Sequence, residues 1–252
     1  MRLPPPFRAL GDQIEIELGS AIALFTTRRG GVSENAYASL NLGTSTEDDE
    51  DHVRVNRARV AELAGLAPEG LLTGRQVHGT DVRRVGAAGD GGADATAEAD
   101  GQATSARGHA PMVLVADCLP IALAGDGAVA MLHGGWRGLA GGIVGEGVRA
   151  LEDLGASGPI SAAIGPGAGL CCYTVDEDVH ATFAARDLDF RESDRLDLKL
   201  IARRELERAG VARIHDVGLC TICPTAREHF FSHRRDRGVT GRQAGLVWRV
   251  QK

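Results

Sequence analysis

The chain has 252 residues, of which 43% are hydrophobic and 25% are charged, a composition typical of a soluble globular protein. Its formal net charge of −6 argues against a constitutive nucleic-acid binder, because such proteins usually present a basic face. Aromatic residues make up only 4% of the chain, so the core must depend on Ala, Val, Leu and Ile. We therefore expect small-molecule partners and no nucleic acid.

Targeting signals and a disulfide framework are both absent from the sequence pattern. Residues 1–18 are interpreted as an N-terminal lead-in, since residues 1–13 (MRLPPPFRALGDQ) lack the apolar segment of a signal peptide. No apolar run approaches the roughly 18–20 residues of a membrane span. The five cysteines are odd in number and scattered, unlike a set of paired disulfides. We expect a cytoplasmic, reduced protein with no membrane partner.

The first half of the chain alternates apolar strands with polar loops. Residues 21–25 (AIALF) predict a buried strand, and residues 45–65 predict a helix, because a Ser/Thr cap precedes acidic residues and Val/Ala spacings of three and four. Residues 71–85 predict two short strands around a turn. Residues 86–110 predict an exposed loop rich in Gly, Ala and Asp, and residues 111–135 predict two or three apolar strands.

The second half continues the same alternation of helices and strands. It predicts a helix near 137–154, a strand at 160–165, helices near 175–186 and 197–209, a strand running into a loop at 214–224, and a closing strand at 244–250. No repeat and no low-complexity linker interrupts the pattern. We therefore predict one α/β (α+β) domain over residues 1–252.

Three side chains that bind borderline metal ions lie where short apolar runs end. They are His78 in RQVHG, Cys118 in ADCLP and His133 in LHGGWRG. Two imidazoles and one thiolate suit Zn²⁺ with a fourth position open for water. The gaps of 40 and 15 residues match no local zinc motif. On spacing alone, histidines that cap turns and a packed Cys118 thiol are the alternatives.

The other four cysteines favour a structural interpretation. Cys220 and Cys223 form CTIC, which is half of a zinc knuckle or a redox pair. No second CxxC completes a finger, so we interpret them as loop cysteines without redox function. Cys171 and Cys172 are adjacent, and adjacent thiols rarely both reach one site, so packing is favoured for them too.

Arginine and glycine occur together in four predicted loops, at 26–33, 74–79, 133–138 and 232–243. Guanidinium groups bind phosphate or carboxylate bidentately, and nearby glycines let backbone N–H groups approach an anion. The arginine of any single loop is most simply interpreted as a surface residue. Four such loops, with His and Cys interleaved, predict an anion or sugar-phosphate site. No P-loop, dinucleotide fingerprint, GxSxG, HExxH or zinc base-deaminase signature is present.

Several longer motifs occur in a characteristic order: TTRRGGVS with SLNLG, RQVHG, DG at 100–101, ADCLPIAL, LHGGWRGLAGGIV, AIGPG followed by CCYTV, and FFSHRRDRGVTGRQAG. From about residue 21 to 249 the chain resembles the bacterial laccase-domain proteins. That family was once called multicopper polyphenol oxidases and is now described as purine nucleoside phosphorylases with adenosine deaminase activity. One departure is Thr174 in CCYTV, where many members have Glu, so substrate preference could differ if that position touches the ligand.

The resemblance implies a single-domain α/β/β/α sandwich with mixed sheets. It also implies that His78, Cys118 and His133 are both metal ligands and catalytic residues holding Zn²⁺. Copper would be an adventitious occupant, since Cu²⁺ outcompetes Zn²⁺ at most such ligands. Laccase chemistry is disfavoured because multicopper oxidation needs about ten His/Cys ligands, whereas the chain has eight histidines, most of them outside the candidate site.

The implied activity is phosphorolysis of adenosine, inosine, guanosine or methylthioadenosine to free base and ribose 1-phosphate, with deamination of adenosine to inosine. Bound zinc would activate water for the deamination and polarise the leaving purine in phosphorolysis. We expect four residues to bind nucleoside or phosphate: Arg28, Arg75, Gln76 and Arg137. Backbone amides from Gly30 to Ser33 would bind the anion together with Arg28.

The segment 131–137 (MLHGGWR) is expected to be the centre of the site. His133 is the ligand at the strand end, and Gly134 and Gly135 make room for the substrate or for the neighbours of the metal. Trp136 would wall the pocket or pack beneath it, and Arg137 would stand at the start of the following helix.

Rival functions come from other classes. A cysteine hydrolase would use Cys118 as nucleophile with His133 or His78 as base. A binding module with structural zinc would close the fourth ligand position with His109 or a CTIC cysteine. A copper-dependent polyphenol oxidase is a further alternative. The preferred nucleoside and the oligomeric state stay open, a homodimer being one option.

Overall fold

The structure, a computed structural model, describes residues 1–86 and 96–250 and contains two six-stranded sheets. In the first sheet, β2 pairs antiparallel with β1 and β3, β14 pairs antiparallel with β3 and β7, and β4 runs parallel to β7. The pairing of β3 with β14 joins the beginning of the chain to its end. The strand order is β1 (Arg8–Leu10), β2 (Gln13–Leu18), β3 (Ala21–Phe25), β14 (Gln243–Arg249), β7 (Ala110–Val115) and β4 (Leu71–Leu72).

The second sheet is also mixed. Its centre is an antiparallel hairpin, β8 with β9, whose turn uses Gly127 at a φ of 104°. The β10–β13 and β5–β6 pairs at its two edges are parallel. The strand order is β13 (Arg213–Asp216), β10 (Ser157–Ile164), β8 (Leu119–Asp126), β9 (Ala128–Gly134), β6 (Gly101–Thr104) and β5 (Val82–Val85). A small ribbon pairs β11 (Arg191–Glu192) with β12 (Arg195–Leu196).

In the described part of the chain, five α-helices accompany the sheets: α1 (Glu50–Leu63), α2 (Trp136–Gly141), α3 (Ile143–Asp153), α4 (Glu177–Ala184) and α5 (Leu198–Arg208). The carboxylate of Asp49 caps α1 by accepting from the backbone N–H groups of Asp51 and His52. The helix predicted over 137–154 is divided into α2 and α3, because Gly142 takes a left-handed conformation with φ 96°. Over the described residues, none of the helices is long and apolar enough to cross a membrane.

Three apolar clusters hold the layers together. One lies between the two sheets, where Ile14, Phe25 and Val247 meet Met131 and other residues of the second sheet. Another packs the outer face of the second sheet against α2, α3, α4 and α5. A smaller cluster packs the outer face of the first sheet against α1. The layers are therefore α/β/β/α, and the predicted sandwich with mixed sheets is confirmed.

Two segments differ from expectation. Residues 1–18, interpreted as a lead-in, contain β1 and β2, whose Ile14 and Ile16 are fully buried because β2 adds to the edge of β3. Residues 86–110, predicted as an exposed loop, include the wholly buried strand β6 and the start of β7. The short sequence GQAT lacks an apolar run, and its burial comes from pairing with β5 and β9. Residues 87–95 lie outside the described residues.

The strands predicted over 71–85 form as β4 and β5. They belong to different sheets and are not joined by a single turn. The chain between them crosses from the first sheet to the second. This crossing carries His78 and brings it to the end of the β8–β9 hairpin, where the site described below is built.

Two helical glycines give a matched test of this packing. A Cβ at Gly138 of α2 would lie 2.9 Å from the carbonyl oxygen of Gly79, whereas a Cβ at Gly145 of α3 would meet only the Arg149 side chain at 3.5 Å. We expect Gly138→Ala to lower the free energy of unfolding by about 1–3 kcal/mol. Gly145→Ala should raise it by about 0.5–1 kcal/mol, through helix propensity. Urea denaturation of both variants measures this, and equal effects would contradict the close contact.

Candidate functional site

The three predicted metal ligands converge at one end of the second sheet. Cys118 directly precedes β8 and His133 lies near the end of β9, and the pairing of Pro120 with His133 sets these two residues side by side. His78 reaches them from the crossing between the sheets. The ligand atoms of the three side chains all lie within 4.8 Å of one another. Sheet pairing thus closes the gaps in sequence that no local zinc motif explains.

Asp100 organises this site, although its side chain is fully buried. Its Oδ1 accepts hydrogen bonds from His133 Nδ1 at 2.8 Å and from the backbone N–H of His78 at 2.9 Å. Its Oδ2 accepts from the backbone N–H groups of Val77 at 3.0 Å and Gly79 at 2.7 Å. One carboxylate therefore holds both the His133 ring and the loop that carries His78. The backbone of His78 itself is in the left-handed conformation, with φ 60°.

The contact with Asp100 determines which nitrogen of His133 is free. Because Nδ1 donates to the carboxylate, Nε2 is the atom available to a metal ion, and such a partner both orients an imidazole and raises its basicity as a ligand. Sequence reasoning missed this role of Asp100. The only signal for it was the DG at 100–101 among the motifs that carried the family resemblance.

Gly135 provides the space in which the three ligands meet. A Cβ at this position would lie 3.0 Å from Cδ2 of His78, 3.3 Å from Sγ of Cys118 and 3.8 Å from Cε1 of His133. A larger residue would push the ligand side chains apart. Gly134 serves packing instead, because its Cβ would contact Ile121 at 2.9 Å in the core.

The ionisation of Cys118 is coupled to that of His133, and the two charges have opposite effects on metal binding. Burial opposes ionisation of the Cys118 thiol, but the charge of His133 and hydrogen bonds from His133 and His78 lower its pKa to about 6. Burial likewise opposes protonation of His133, but Cys118 and Asp100 together raise its pKa to about 9. Cys118 is therefore a thiolate at neutral pH, which is the form that ligates metal, and binding must release the proton from His133.

The donor set and spacing fit a tetrahedral metal ion. With Zn–N near 2.0–2.1 Å and Zn–S near 2.3 Å, a tetrahedral site separates nitrogen from sulfur by about 3.6 Å. Cys118 Sγ lies 3.9 Å from His78 Nε2. Three protein ligands leave one coordination position for water or substrate, as in catalytic zinc sites. Neither His109, whose Nδ1 lies 3.2 Å from the carbonyl oxygen of Arg107, nor the CTIC cysteines join this group.

A cavity of about 740 Å³ opens over the three ligands, a volume typical of small-molecule sites. Among the residues that the structure describes, five arginines line it: Arg57, Arg75, Arg137, Arg234 and Arg242. Arg75 forms an ion pair with Glu98. Within residues 1–86 and 96–250, the other four have no carboxylate oxygen within 4.0 Å. The cavity therefore carries a surplus of positive charge that suits an oxyanion.

Three of the four residues predicted to bind substrate line this cavity. They are Arg75, Gln76 and Arg137. The Gln76 amide is already engaged, since it donates to the carbonyl oxygen of Leu114 and accepts from the N–H of Leu114, which anchors the loop to β7. Arg137 lies 4.4 Å over the ring of Trp136, and Trp136 lines the cavity while packing on the core beneath.

Arg28 lies elsewhere. Its guanidinium donates to the carbonyl oxygens of Ala38 and Arg227 and stacks 4.5 Å over Phe231, so it braces loops rather than facing the cavity. Of the expected amides, those of Gly31, Val32 and Ser33 are also engaged, because they donate to Ser39 and Asn56. The anion contact predicted for the 26–33 loop is thus replaced by internal hydrogen bonds.

The structure adds arginines that sequence reasoning did not single out. Arg234 and Arg242 come from the 232–243 loop, one of the four arginine–glycine loops, while Arg57 lies on α1, where a single arginine on a helix gave no signal. Thr174 contacts Arg234, whose guanidinium donates to its carbonyl oxygen at 2.8 Å and to its hydroxyl at 3.0 Å. Thr174 therefore acts on the site through Arg234.

Comparison with known proteins identifies the family of the chain. A family model described as "Multi-copper polyphenol oxidoreductase laccase" matches residues 22–250. The chain belongs to this family. It is 39% identical over 253 residues to a Geobacillus stearothermophilus protein named purine nucleoside phosphorylase YlmD, covering 92% of this chain and 91% of that protein. It is 36% identical to the Escherichia coli purine nucleoside phosphorylase YfiH, covering 90% and 93%.

Solved structures of this laccase-like family share the fold. The crystal structure of YlmD from Geobacillus stearothermophilus matches with a TM-score of 0.88 at 35% sequence identity, covering 98% of this chain and all of that one. A Neisseria meningitidis protein matches with a TM-score of 0.81 at 34% identity, covering 96% and 100%.

A second buried His–Asp pair offers a matched control for Asp100. His180 Nδ1 lies 2.8 Å from Asp189 Oδ1 between α4 and β11, outside the site. We expect Asp100→Asn to weaken Zn²⁺ binding roughly 10- to 100-fold, because the orientation of His133 and of the His78 loop is lost. Asp189→Asn should leave Zn²⁺ affinity unchanged. Competition with a chromophoric chelator measures both constants, and equal losses would contradict the role assigned to Asp100.

Proposed function

We propose that this protein is a zinc-dependent purine nucleoside phosphorylase that also deaminates adenosine. The observation that carries the proposal is the His78–Cys118–His133 group at the base of a cavity of about 740 Å³ with an arginine-rich wall. Arginines in this cavity can bind phosphate, and a metal ion held by the ligand group could stabilise the leaving base. The names of the curated relatives support the same activity.

Phosphorolysis breaks the bond between ribose C1′ and purine N9 and forms a bond from C1′ to a phosphate oxygen. The base leaves with the electron pair of the broken bond and takes up a proton. Arg137, Arg234 and Arg242 would hold the phosphate, since guanidinium groups bind phosphate oxygens in pairs and, within residues 1–86 and 96–250, no carboxylate oxygen lies within 4.0 Å of these three. Holding phosphate beside the ribose turns a bimolecular attack into a positioned one.

Deamination makes a different demand, since water adds at C6 of adenosine and ammonia leaves. The chain would meet it by turning the purine edge toward His78, Cys118 and His133 while the arginines hold the far end of the nucleoside. When bound, zinc would supply Lewis acidity toward the purine and toward water. Asp100 would keep His133 in the orientation that this chemistry needs.

Zinc is proposed rather than copper on the chemistry of the ligands. Multicopper oxidation requires several histidine-rich copper centres. The ligand groups that the structure shows in residues 1–86 and 96–250 contain only two histidines, His78 and His133. A copper ion in this group would be an adventitious occupant.

A cysteine hydrolase is the second candidate, because Cys118 and His133 form the thiolate–imidazolium pair typical of cysteine nucleophiles. The two candidates differ in the effect of zinc. A zinc-bound thiolate is shielded from iodoacetamide, so inactivation that persists in zinc-loaded protein would favour the hydrolase.

The proposal is tested by product analysis of zinc-loaded protein incubated with adenosine, with and without phosphate. We expect adenine or hypoxanthine only with phosphate and inosine in both reactions, separated by chromatography. The Cys118→Ser variant should produce neither, because it lacks a metal ligand. No conversion by protein with confirmed bound zinc would overturn the nucleoside function.

Arg137 and Arg54 provide a paired test of the phosphate site. Loss of one charged hydrogen bond costs about 1.5–3 kcal/mol, so Arg137→Ala should raise the KM for phosphate about 10- to 100-fold. Arg54 is exposed and paired with Asp51 on α1, so Arg54→Ala should leave that KM unchanged. Steady-state kinetics at varied phosphate decides, and an unchanged KM in Arg137→Ala would remove Arg137 from the site.

A further inference from the structure

The four cysteines outside the site come together in space. Cys171, Cys172, Cys220 and Cys223 place their sulfur atoms within 4.8 Å of one another, and all four are free thiols. Sequence reasoning interpreted Cys220 and Cys223 as loop cysteines without redox function. It assigned Cys171 and Cys172 to packing, on the ground that adjacent thiols rarely both reach one site. Both adjacent cysteines do reach it here, since the sulfurs of Cys171 and Cys172 each lie 3.3 Å from that of Cys223.

Backbone pairing between two loops builds this cluster. The loop after β10 meets the loop after β13 through a parallel bridge between Gly167 and Cys220. The N–H of Thr221 also donates to the carbonyl oxygen of Gly167 at 3.1 Å. Gly169 lies against the sulfurs, and a Cβ there would be 3.4 Å from Sγ of Cys171 and 3.5 Å from Sγ of Cys220. The fold therefore creates the cluster, and glycine leaves room for it.

The spacing of the sulfurs matches a tetrahedral tetrathiolate site. With Zn–S near 2.3 Å, the edges of a ZnS₄ tetrahedron are about 3.8 Å. The observed separations, from 3.3 Å to an upper bound of 4.8 Å, bracket that value. The cysteines around a multi-iron cluster stand further apart, because the inorganic core lies between them. The spacing thus favours a single ion.

The CTIC turn has the hydrogen bonds of a zinc knuckle. The Cys220 sulfur accepts backbone N–H bonds from Ile222 and Cys223, two and three residues along the chain, and another from Gly169. Amide donors directed at a sulfur stabilise its thiolate form, the form that binds metal. Cys220, Cys172 and Cys223 are half-buried and Cys171 is exposed, so an ion can enter from solvent.

We propose that Cys171, Cys172, Cys220 and Cys223 bind a second zinc ion, in a closed tetrathiolate site separate from His78, Cys118 and His133. Soft thiolates select zinc over hard cations, and four protein ligands leave no position for substrate, so this ion is structural. Binding releases the thiol protons to solvent.

The second ion would secure one wall of the cavity. It joins the loop that carries Tyr173, a cavity residue, to the loop that carries Thr221. The Thr221 hydroxyl donates to Asp117 Oδ1 at 2.7 Å, and Asp117 immediately precedes Cys118. The tetrathiolate site therefore connects through a single hydrogen bond to the turn that presents the Cys118 ligand.

The test is zinc stoichiometry by elemental analysis of protein purified with a non-thiol reductant and dialysed. Unmodified protein should hold two zinc ions per chain, and one each should remain in Cys118→Ser and in Cys220→Ser/Cys223→Ser. One ion in unmodified protein, none in Cys118→Ser and an unchanged value in the double variant would overturn the proposal.

A second measurement avoids altering the cluster, in case the double variant fails to fold. Cys118→Ser retains only the four clustered thiols, so Co²⁺ added to its metal-free form should give intense thiolate-to-cobalt charge-transfer absorption at one equivalent. Absence of that absorption would overturn the tetrathiolate site, as would disulfide bonds among the four cysteines in unreduced protein. Neither result depends on the nucleoside activity.

Discussion

The buried carboxylate of Asp100 is the interaction on which the site depends. An ionised carboxyl without partners costs several kcal/mol or more inside a protein, and this one is satisfied by four donors. Burial opposes its ionisation, but the hydrogen bonds from His133 and from the amides of Val77 and Gly79 lower the pKa of Asp100. The same bonds that stabilise the charge hold the His133 ring and the backbone around His78 in place.

The sandwich supplies the third ligand and the cavity. The β8–β9 hairpin lies at the centre of its sheet, between the first sheet and the helices α2–α5. Its end carries Cys118 and His133 at neighbouring register positions. Loops bring Arg75, Arg234 and Arg242 to that end, while Arg57 lies on α1 and Arg137 on α2. The hairpin at the centre of the sheet thus positions two of the three candidate metal ligands, and the surrounding segments supply the arginines.

Local pattern was enough to predict much of the fold. Strand β3 was predicted at its observed bounds and the helices α1, α4 and α5 within a few residues, because apolar periodicity and capping residues are local signals. The strands β2 and β6 were missed because their burial arises from partners distant in sequence. The break between α2 and α3 depends on the φ of Gly142, which sequence pattern does not reveal.

The candidate site was predicted unevenly for the same reason. His78, Cys118 and His133 stood out by residue type, and family resemblance supplied their grouping. Asp100 was missed as a site residue because a buried carboxylate is recognised only by its donors. Arg28 looked like an anion ligand by its glycine neighbours, but its guanidinium is occupied by backbone carbonyls. The meeting of Cys171 and Cys172 with the CTIC cysteines required the pairing of two loops about 50 residues apart.

The most direct test of the central claim is anomalous diffraction at the zinc absorption edge, from crystals grown with Zn²⁺. The account predicts a peak about 2.0–2.3 Å from Cys118 Sγ and from one ring nitrogen each of His78 and His133, facing the arginine-lined cavity. His133 should remain hydrogen-bonded to Asp100 through Nδ1. If crystals from a catalytically active, zinc-loaded preparation show no peak among these three residues, the reaction takes place elsewhere and the account is contradicted.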